Sequence, residues 1–145
     1  MTDITTSAEI ARPASEVFAY VSDMANNPRW QQGQQRCEWT SEPPHGLGST
    51  YEQEARFMGR TIRSSFEVTE FDDGRLIRIV STGGTMPIEV TRSVEPIDDL
   101  RSRVTARVQG DPPAMFKILG PLLDRMVKRN VTKDYERLKA ILESD

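Results

Sequence analysis

A single cysteine, Cys37, and a single histidine, His45, exclude several kinds of chemistry from this chain. One thiol makes neither an internal disulfide nor a cysteine-based metal cluster, so Cys37 reads as a half-buried strand residue in a reduced setting. A lone histidine inside Pro43-Pro44-His45-Gly46 defines no metal site and no triad, and it reads as a solvated loop residue rather than a general base. No apolar run approaches the ~20 residues of a membrane span, and MTDITTSAEI has neither the basic start nor the apolar stretch of a secretion signal. The expected setting is therefore cytoplasmic, without stable membrane insertion. Positive charge is also short: the net charge is −3 at pH 7, which argues against nucleic acid as a partner, because neutralising phosphates needs a basic surface. Gly83-Gly84 lacks the spacing and the lysine of a phosphate-cradling loop, and no cofactor or metal is called for.

What is present suits one domain over residues 1–145, with 37% hydrophobic and 28% charged residues. The only long helical pattern is residues 111–145. Asp111 and Pro112 suit a helix start, and Phe116, Leu119, Leu123, Met126, Val127, Val131, Tyr135, Leu138 and Leu142 recur at the three-and-four spacing of one helix face. Gly120-Pro121 interrupts that pattern. Proline removes a hydrogen bond and clashes with the preceding turn, so a short segment at 112–119 is expected to precede a main helix at 122–142, as a hinged flap with Met115 and Phe116 facing inwards.

Before the helix the chain reads as strands at residues 3–10, 36–40, 50–58, 61–71, 75–82, 86–95 and 100–109. Asp73-Gly74 is a hairpin turn signal, because glycine accepts the positive φ required there. Between the first two strands, Val17, Phe18, Tyr20 and Val21 suggest a short helix capped by Ser15, and Asn26-Asn27-Pro28 suggests a second short turn anchored by Trp30. This order predicts an α+β fold, a long helix packed on a curved seven-stranded antiparallel sheet, with two short helices after strand 1. Period-two alternation puts Ile62, Ser64, Phe66 and Val68 on one face, and Ile88, Val90, Arg92 and Val94 on another.

Three stretches, ITTSAEIARPASEVFAYVSDMANNPRW, FMGRTIRSSFEVTEFDDGRLIRI and the closing YERLKAILE, resemble the Bet v 1-like/START-like superfamily, and within it the polyketide cyclase/dehydrase-like (SRPBCC) proteins. That resemblance implies a helix-grip fold, a seven-stranded sheet wrapped around the C-terminal helix with a hydrophobic cavity between them. It implies binding of a small hydrophobic molecule, whether lipid, isoprenoid or polyketide-like. The alternative it implies is an enzyme of cyclase, aromatase or dehydratase type using polar residues of the cavity. Monomer and homodimer both stay open.

Candidate ligand-binding residues follow from polar groups on apolar faces. On a helical wheel Asn130 and Asp134 fall within the arc of Leu123, Val127 and Val131, where an amide and a carboxylate would orient a polar ligand group. Arg92, beside Ile88 and Val90, would hold a carboxylate, enolate or phosphate. Gln53 and Ser64 are smaller polar groups on faces with Ala55, Phe57 and Phe66. Tyr51 and Tyr135 offer hydroxyls. Trp30, Phe57, Met115, Phe116 and Leu119 are expected to wall the cavity or its mouth. No residue is singled out as catalytic.

Overall fold

β1 (Thr2–Ile10) alternates between an inner face of Ile4, Thr6, Ala8 and Ile10 and an exposed face, as its period-two pattern requires. In the computed structural model, which describes residues 2–57, 59–84, 87–111 and 118–144 (Phe57 in its backbone alone), β1 is one edge of a seven-stranded sheet. The other strands are β2 (Gln34–Trp39), β3 (Thr50–Phe57), β4 (Arg60–Asp72), β5 (Leu76–Gly84), β6 (Ile88–Asp98) and β7 (Arg101–Gly110). The order is β1-β7-β6-β5-β4-β3-β2, antiparallel at every pairing. The expected strands are all present, with no end displaced by more than three residues.

The sheet curls around the long helix, α3 (Pro121–Glu143), in the helix-grip arrangement. Register shifts help it to curl. Extra residues on the β4–β5 ladder, Thr82 of β5 opposite the Ser65–Phe66 step and Thr69 of β4, and Gln35 of β2, bend and twist the strands locally. The β4–β5 turn has Gly74 at φ 83°, as expected of the Asp73-Gly74 pair.

Two short helical elements follow β1. Helix α1 (Ala14–Val21) buries Val17, Phe18 and Val21, but Ser15 does not cap it. The helix begins two residues earlier than a Ser15 cap requires; Pro13 occupies the N-cap, and its carbonyl accepts from Glu16 N and Val17 N. A 3-10 turn (Met24–Asn26) leads into α2 (Asn27–Trp30), with Asp23 accepting from Ala25 N and Pro28 in the first helical turn. Trp30 is fully buried, as its role of anchor predicted.

Helix α3 is stitched to β1 along its length. Thr2 Oγ1 donates to Asp124 at 2.8 Å, Lys139 Nζ donates to the Glu9 carbonyl at 2.6 Å, and Ala11 N donates to Glu143 at 2.7 Å. The break before it is present: Gly120 is the N-cap at φ 54°, and Pro121 opens the helix where its missing N–H has no bond to lose. The expected flap at 112–119, with its Asp111–Pro112 start, falls largely outside the described residues. Ile118 to Gly120 form a turn.

Packing is uneven. At one end of the sheet Ile10, Val17, Phe18, Val21, Met24, Val94, Val104, Ala106 and Leu138 form a tight core. Towards the other end the same faces stand apart.

Candidate functional site

Where the concave sheet, α3 and the α2–β2 connection fail to meet, they enclose two adjoining chambers. The outer one, about 470 Å³, is walled by Ala55 of β3, Ile62, Ser64 and Phe66 of β4, Ile88 of β6, Val108 of β7, and Leu123, Val127 and Val131 of α3. Thr2, Arg56, Gly110, Asn130 and Lys133 complete it, and Arg56, Asn130 and Lys133 are solvent-exposed, which places them at its mouth. The inner one, about 120 Å³, lies deeper, between Trp30, Tyr51, Ile79, Val90, Arg92 and Tyr135. Gln31, Gln34, Gln53, Phe66, Ile88, Val108, Val131 and Asp134 border both. The half-burial of Val127 and Val131 on a helix face that is otherwise apolar follows from this: they border space rather than side chains.

The inner chamber is polar at its floor. Arg92, only 4% exposed, donates from Nη1 to the Val21 carbonyl at 2.8 Å and to Asn27 Oδ1 at 3.2 Å, with Met24 Sδ at 3.5 Å. Its guanidinium carbon stands 4.9 Å from the centre of the Trp30 ring, a cation–π arrangement. Trp30 in turn meets Tyr135 edge-on at 4.8 Å, and Tyr51 stacks on Phe66 at 5.1 Å. Arg92 Nε, Trp30 Nε1, the Tyr51 hydroxyl and Gln34 Oε1 are buried without a hydrogen-bond partner. Burial pushes both tyrosines above the usual phenol range, so each stays a neutral hydroxyl.

Asp134 sits at the junction between chambers. Its Oδ1 accepts from Gln32 N at 3.1 Å and from Arg137 at 3.4 Å, while Arg137 also donates to the Trp30 carbonyl at 3.1 Å. These contacts fasten α3 to the α2–β2 connection. Burial nevertheless holds the Asp134 carboxyl above the ordinary range, with the Gln32 N–H and Arg137 opposing the rise.

Of the residues expected to bind a ligand, Gln53, Ser64, Phe66, Leu123, Val127, Asn130 and Asp134 line the outer chamber, and Trp30, Tyr51 and Arg92 line the inner one. Leu119 lines neither; it is a half-buried turn residue whose carbonyl accepts from Leu122 N. The Phe57 side chain, Met115 and Phe116 lie outside the described residues. His45 is not merely solvated: it stacks on Trp39 at 3.9 Å, and its Nε2 lies 3.2 Å from the Ser41 carbonyl. Cys37 is buried rather than half-buried, and burial pushes its thiol up to about 12, which leaves it unreactive.

Known proteins share this fold. A family model described as polyketide cyclase / dehydrase and lipid transport matches residues 1–143. The chain belongs to that family. Solved structures agree with this polyketide cyclase/dehydrase fold at low identity. A protein from Thermus thermophilus superposes with a TM-score of 0.83 at 19% identity, over 98% of this chain and 97% of the other. A START superfamily protein from Mycobacterium smegmatis gives 0.80 at 17%, over 99% of each chain. A Streptomyces aromatase/cyclase gives 0.78 at 13%, over 97% of this chain and 93% of the other. Among curated proteins no sequence match to the chain is found.

Within this family member, two groups of site residues escaped the sequence reading. Gln31, Gln32, Gly33 and Gln34 line the outer chamber, Gln31 and Gln34 bordering the inner one as well, with Gln34 Nε2 donating to Gln31 Oε1 at 2.7 Å. Gly33 lets this segment approach β3, since Arg56 N donates to its carbonyl and a side chain there would stand 3.2 Å from the Arg56 carbonyl oxygen. The signal was four glutamines around one glycine, a cluster with no apolar period to place it. Asn27, read as turn chemistry, is 1% exposed and accepts from Arg92.

Among the described residues, no helix is long and apolar enough to cross a membrane, and no cluster of three or more potential ligands could hold a metal ion.

Proposed function

We propose that this chain binds a small hydrophobic molecule, such as a lipid, an isoprenoid or a polyketide-like compound, in the two chambers between sheet and α3. One observation carries the reading: a space of about 470 Å³, walled mainly by aliphatic side chains and Phe66, narrows onto a few convergent polar groups. That is the constitution of a small-molecule pocket, in which apolar walls supply burial and sparse polar groups set orientation. Gln53, Ser64, Asn130 and Asp134 join Trp30, Tyr51, Arg92, Leu123 and Val127 as the binding residues of this proposal.

Native mass spectrometry of the purified chain, with a panel of fatty acids, isoprenoids and aromatic polyketides, tests it. One apolar ligand per chain, accompanied by a raised melting temperature, supports the reading. An empty chain whose melting temperature no panel member moves overturns it.

A second reading, an enzyme of cyclase, aromatase or dehydratase type, draws on Asp134. A carboxyl held above its ordinary range beside a ligand space is placed to exchange a proton with a bound carbonyl compound. Consumption of a poly-β-ketone by the wild type, lost in a folded Asp134→Asn variant, would support that reading; binding without turnover would leave the first.

A further inference from the structure

The floor of the inner chamber holds a cation with no carboxylate at ion-pair distance among the described residues; Asp134 acts on it only through space. Arg92 is 4% exposed, and its partners are all neutral: the Val21 carbonyl, the Asn27 amide oxygen, the Met24 thioether and the Tyr135 hydroxyl. Asp134, the acid bordering the same chamber, is engaged by Gln32 N and Arg137 instead. A buried charge paired only with neutral groups is destabilising, and so is each buried donor without an acceptor. Three such groups belong to side chains that line this chamber: Arg92 Nε, Trp30 Nε1 and the Tyr51 hydroxyl. The first two can only donate, and all three want an oxygen acceptor.

The mouth repeats the sign. Most of the outward arginines on the strands are paired with acids, as Arg103 is with Glu9 and Arg107 with Asp3. In contrast, Arg56 and Lys133 at the mouth, and Arg125, Lys128 and Arg129 on the exposed face of α3, have no ion partner among the described residues. In a chain of net charge −3, the mouth thus carries two cations, Arg56 and Lys133, where a ligand would pass.

We propose that the inner chamber is a carboxylate subsite, and that the ligand is an amphiphilic monoanion. It lies head-down, its carboxylate on Arg92, Trp30 and Tyr51 and its apolar body in the outer chamber. This rests on the cavity being a ligand site, and adds the ligand's charge and direction. A chamber of about 120 Å³ takes a head of roughly eight water-sized groups or fewer. One cation with two neutral donors matches a single negative charge; a phosphate dianion would bring a second, against Asp134 at the chamber's edge.

Decanoate, decanol and decanesulfonate, titrated against the full chain by the fluorescence of its two tryptophans, Trp30 and Trp39, separate the possibilities. In the wild type decanoate binds about tenfold or more tighter than decanol, because charge-assisted hydrogen bonds replace unmade ones. In Arg92→Gln that ratio falls to near one while decanol still binds. Because Arg92 also ties Val21 and Asn27, the variant's fold is checked by its melting curve. A second measurement needs no variant: as pH falls through the titration of decanoate, its affinity for the wild type drops to that of decanol, whereas decanesulfonate, still ionised, keeps its affinity. Equal binding of decanol and decanoate, discrimination that survives a folded Arg92→Gln, or a decanoate affinity flat in pH overturns the carboxylate subsite. Failure of all three probes, together with the apolar panel above, overturns the cavity reading itself.

Discussion

The two ends of this molecule are built from the same strands and the same helix, yet one is packed and the other hollow. Along β4, Val68 is fully buried and Phe66 2% exposed, whereas Ile62 is half-buried. Along β6, Val94 is buried and Ile88 half-buried; along α3, Leu138 is buried and Val127 half-buried. The apolar period runs on unchanged. What differs is the filler: α1 packs against β6 and β7 at the closed end only. Its 8 residues reach about 12 Å, at 1.5 Å each, while the 13 of β4 run about 43 Å at 3.3 Å each. One short helix cannot cover so long a concavity. A face can therefore be encoded without its partner, and the shortfall becomes the cavity.

The sharpest test of this contrast is truncation on α3. Leu138→Ala, at a fully buried position, should cost about 2–5 kcal/mol in chemical denaturation. Val127→Ala, beside open space, should cost less than half as much. Equal losses would mean that the open end is as tightly held as the closed one.

The next effect concerns how α3 begins at the open end, where backbone geometry takes the place of packing. Gly120 has φ 54° and ψ −132°, a combination that side-chain-bearing residues avoid, and nothing lies within 4 Å of a Cβ placed there. Gly120→Ala should thus destabilise through strain alone, by about 1–3 kcal/mol. An unchanged denaturation midpoint would show that the junction relaxes freely.

Titration offers a third, smaller probe. Tyr51 and Tyr135 have raised phenol values in the folded chain because burial penalises phenolate. Above about pH 10 the unfolded chain loses these protons while the folded chain keeps them. Their contribution is complete below pH 10 and is lost as pH rises towards the folded values, by about 1.4 kcal/mol per pH unit for each group. The double variant Tyr51→Phe with Tyr135→Phe should flatten that alkaline decline in a pH series of denaturation curves; a decline of unchanged steepness would remove these two groups as its cause.

Much of this was legible from residue order, and the limits are physical. Strands and α3 could be read because alternation and helical period are local, and Asp73-Gly74 announces its own turn. Arg92 stood out because a guanidinium between Val90 and Val94 breaks an apolar face, and Asp134 because it falls inside an apolar arc. Asn27 did not, since its partner Arg92 lies 65 residues away and no local pattern links them. The glutamines around Gly33 were equally silent, because a loop has no period from which to infer direction. Ser15 misled for a related reason: its hydroxyl suits a cap, but the Pro13 carbonyl already receives the first helical N–H groups. Leu119 continued the apolar spacing of α3 backwards, past the Gly120 at which that helix begins.

The smallest expected change in stability carries the largest consequence for function. Adding volume to a packed site forces strain, so Val21→Phe, at a fully buried position of α1, should cost about 1–3 kcal/mol. Val127→Phe adds the same atoms to the wall of a chamber of about 470 Å³, where there is room for them. Its cost in denaturation should stay under about 1 kcal/mol, because the added ring gains apolar contact in place of displacing any. The same ring occupies the space that the body of a ligand would fill, so affinity for decanoate should fall by about tenfold or more, from the loss of roughly two buried methylene groups. If Val127→Phe instead destabilises as much as Val21→Phe, the space beside α3 closes in solution and the two ends are alike; if it is stable and binding is untouched, ligands bind elsewhere.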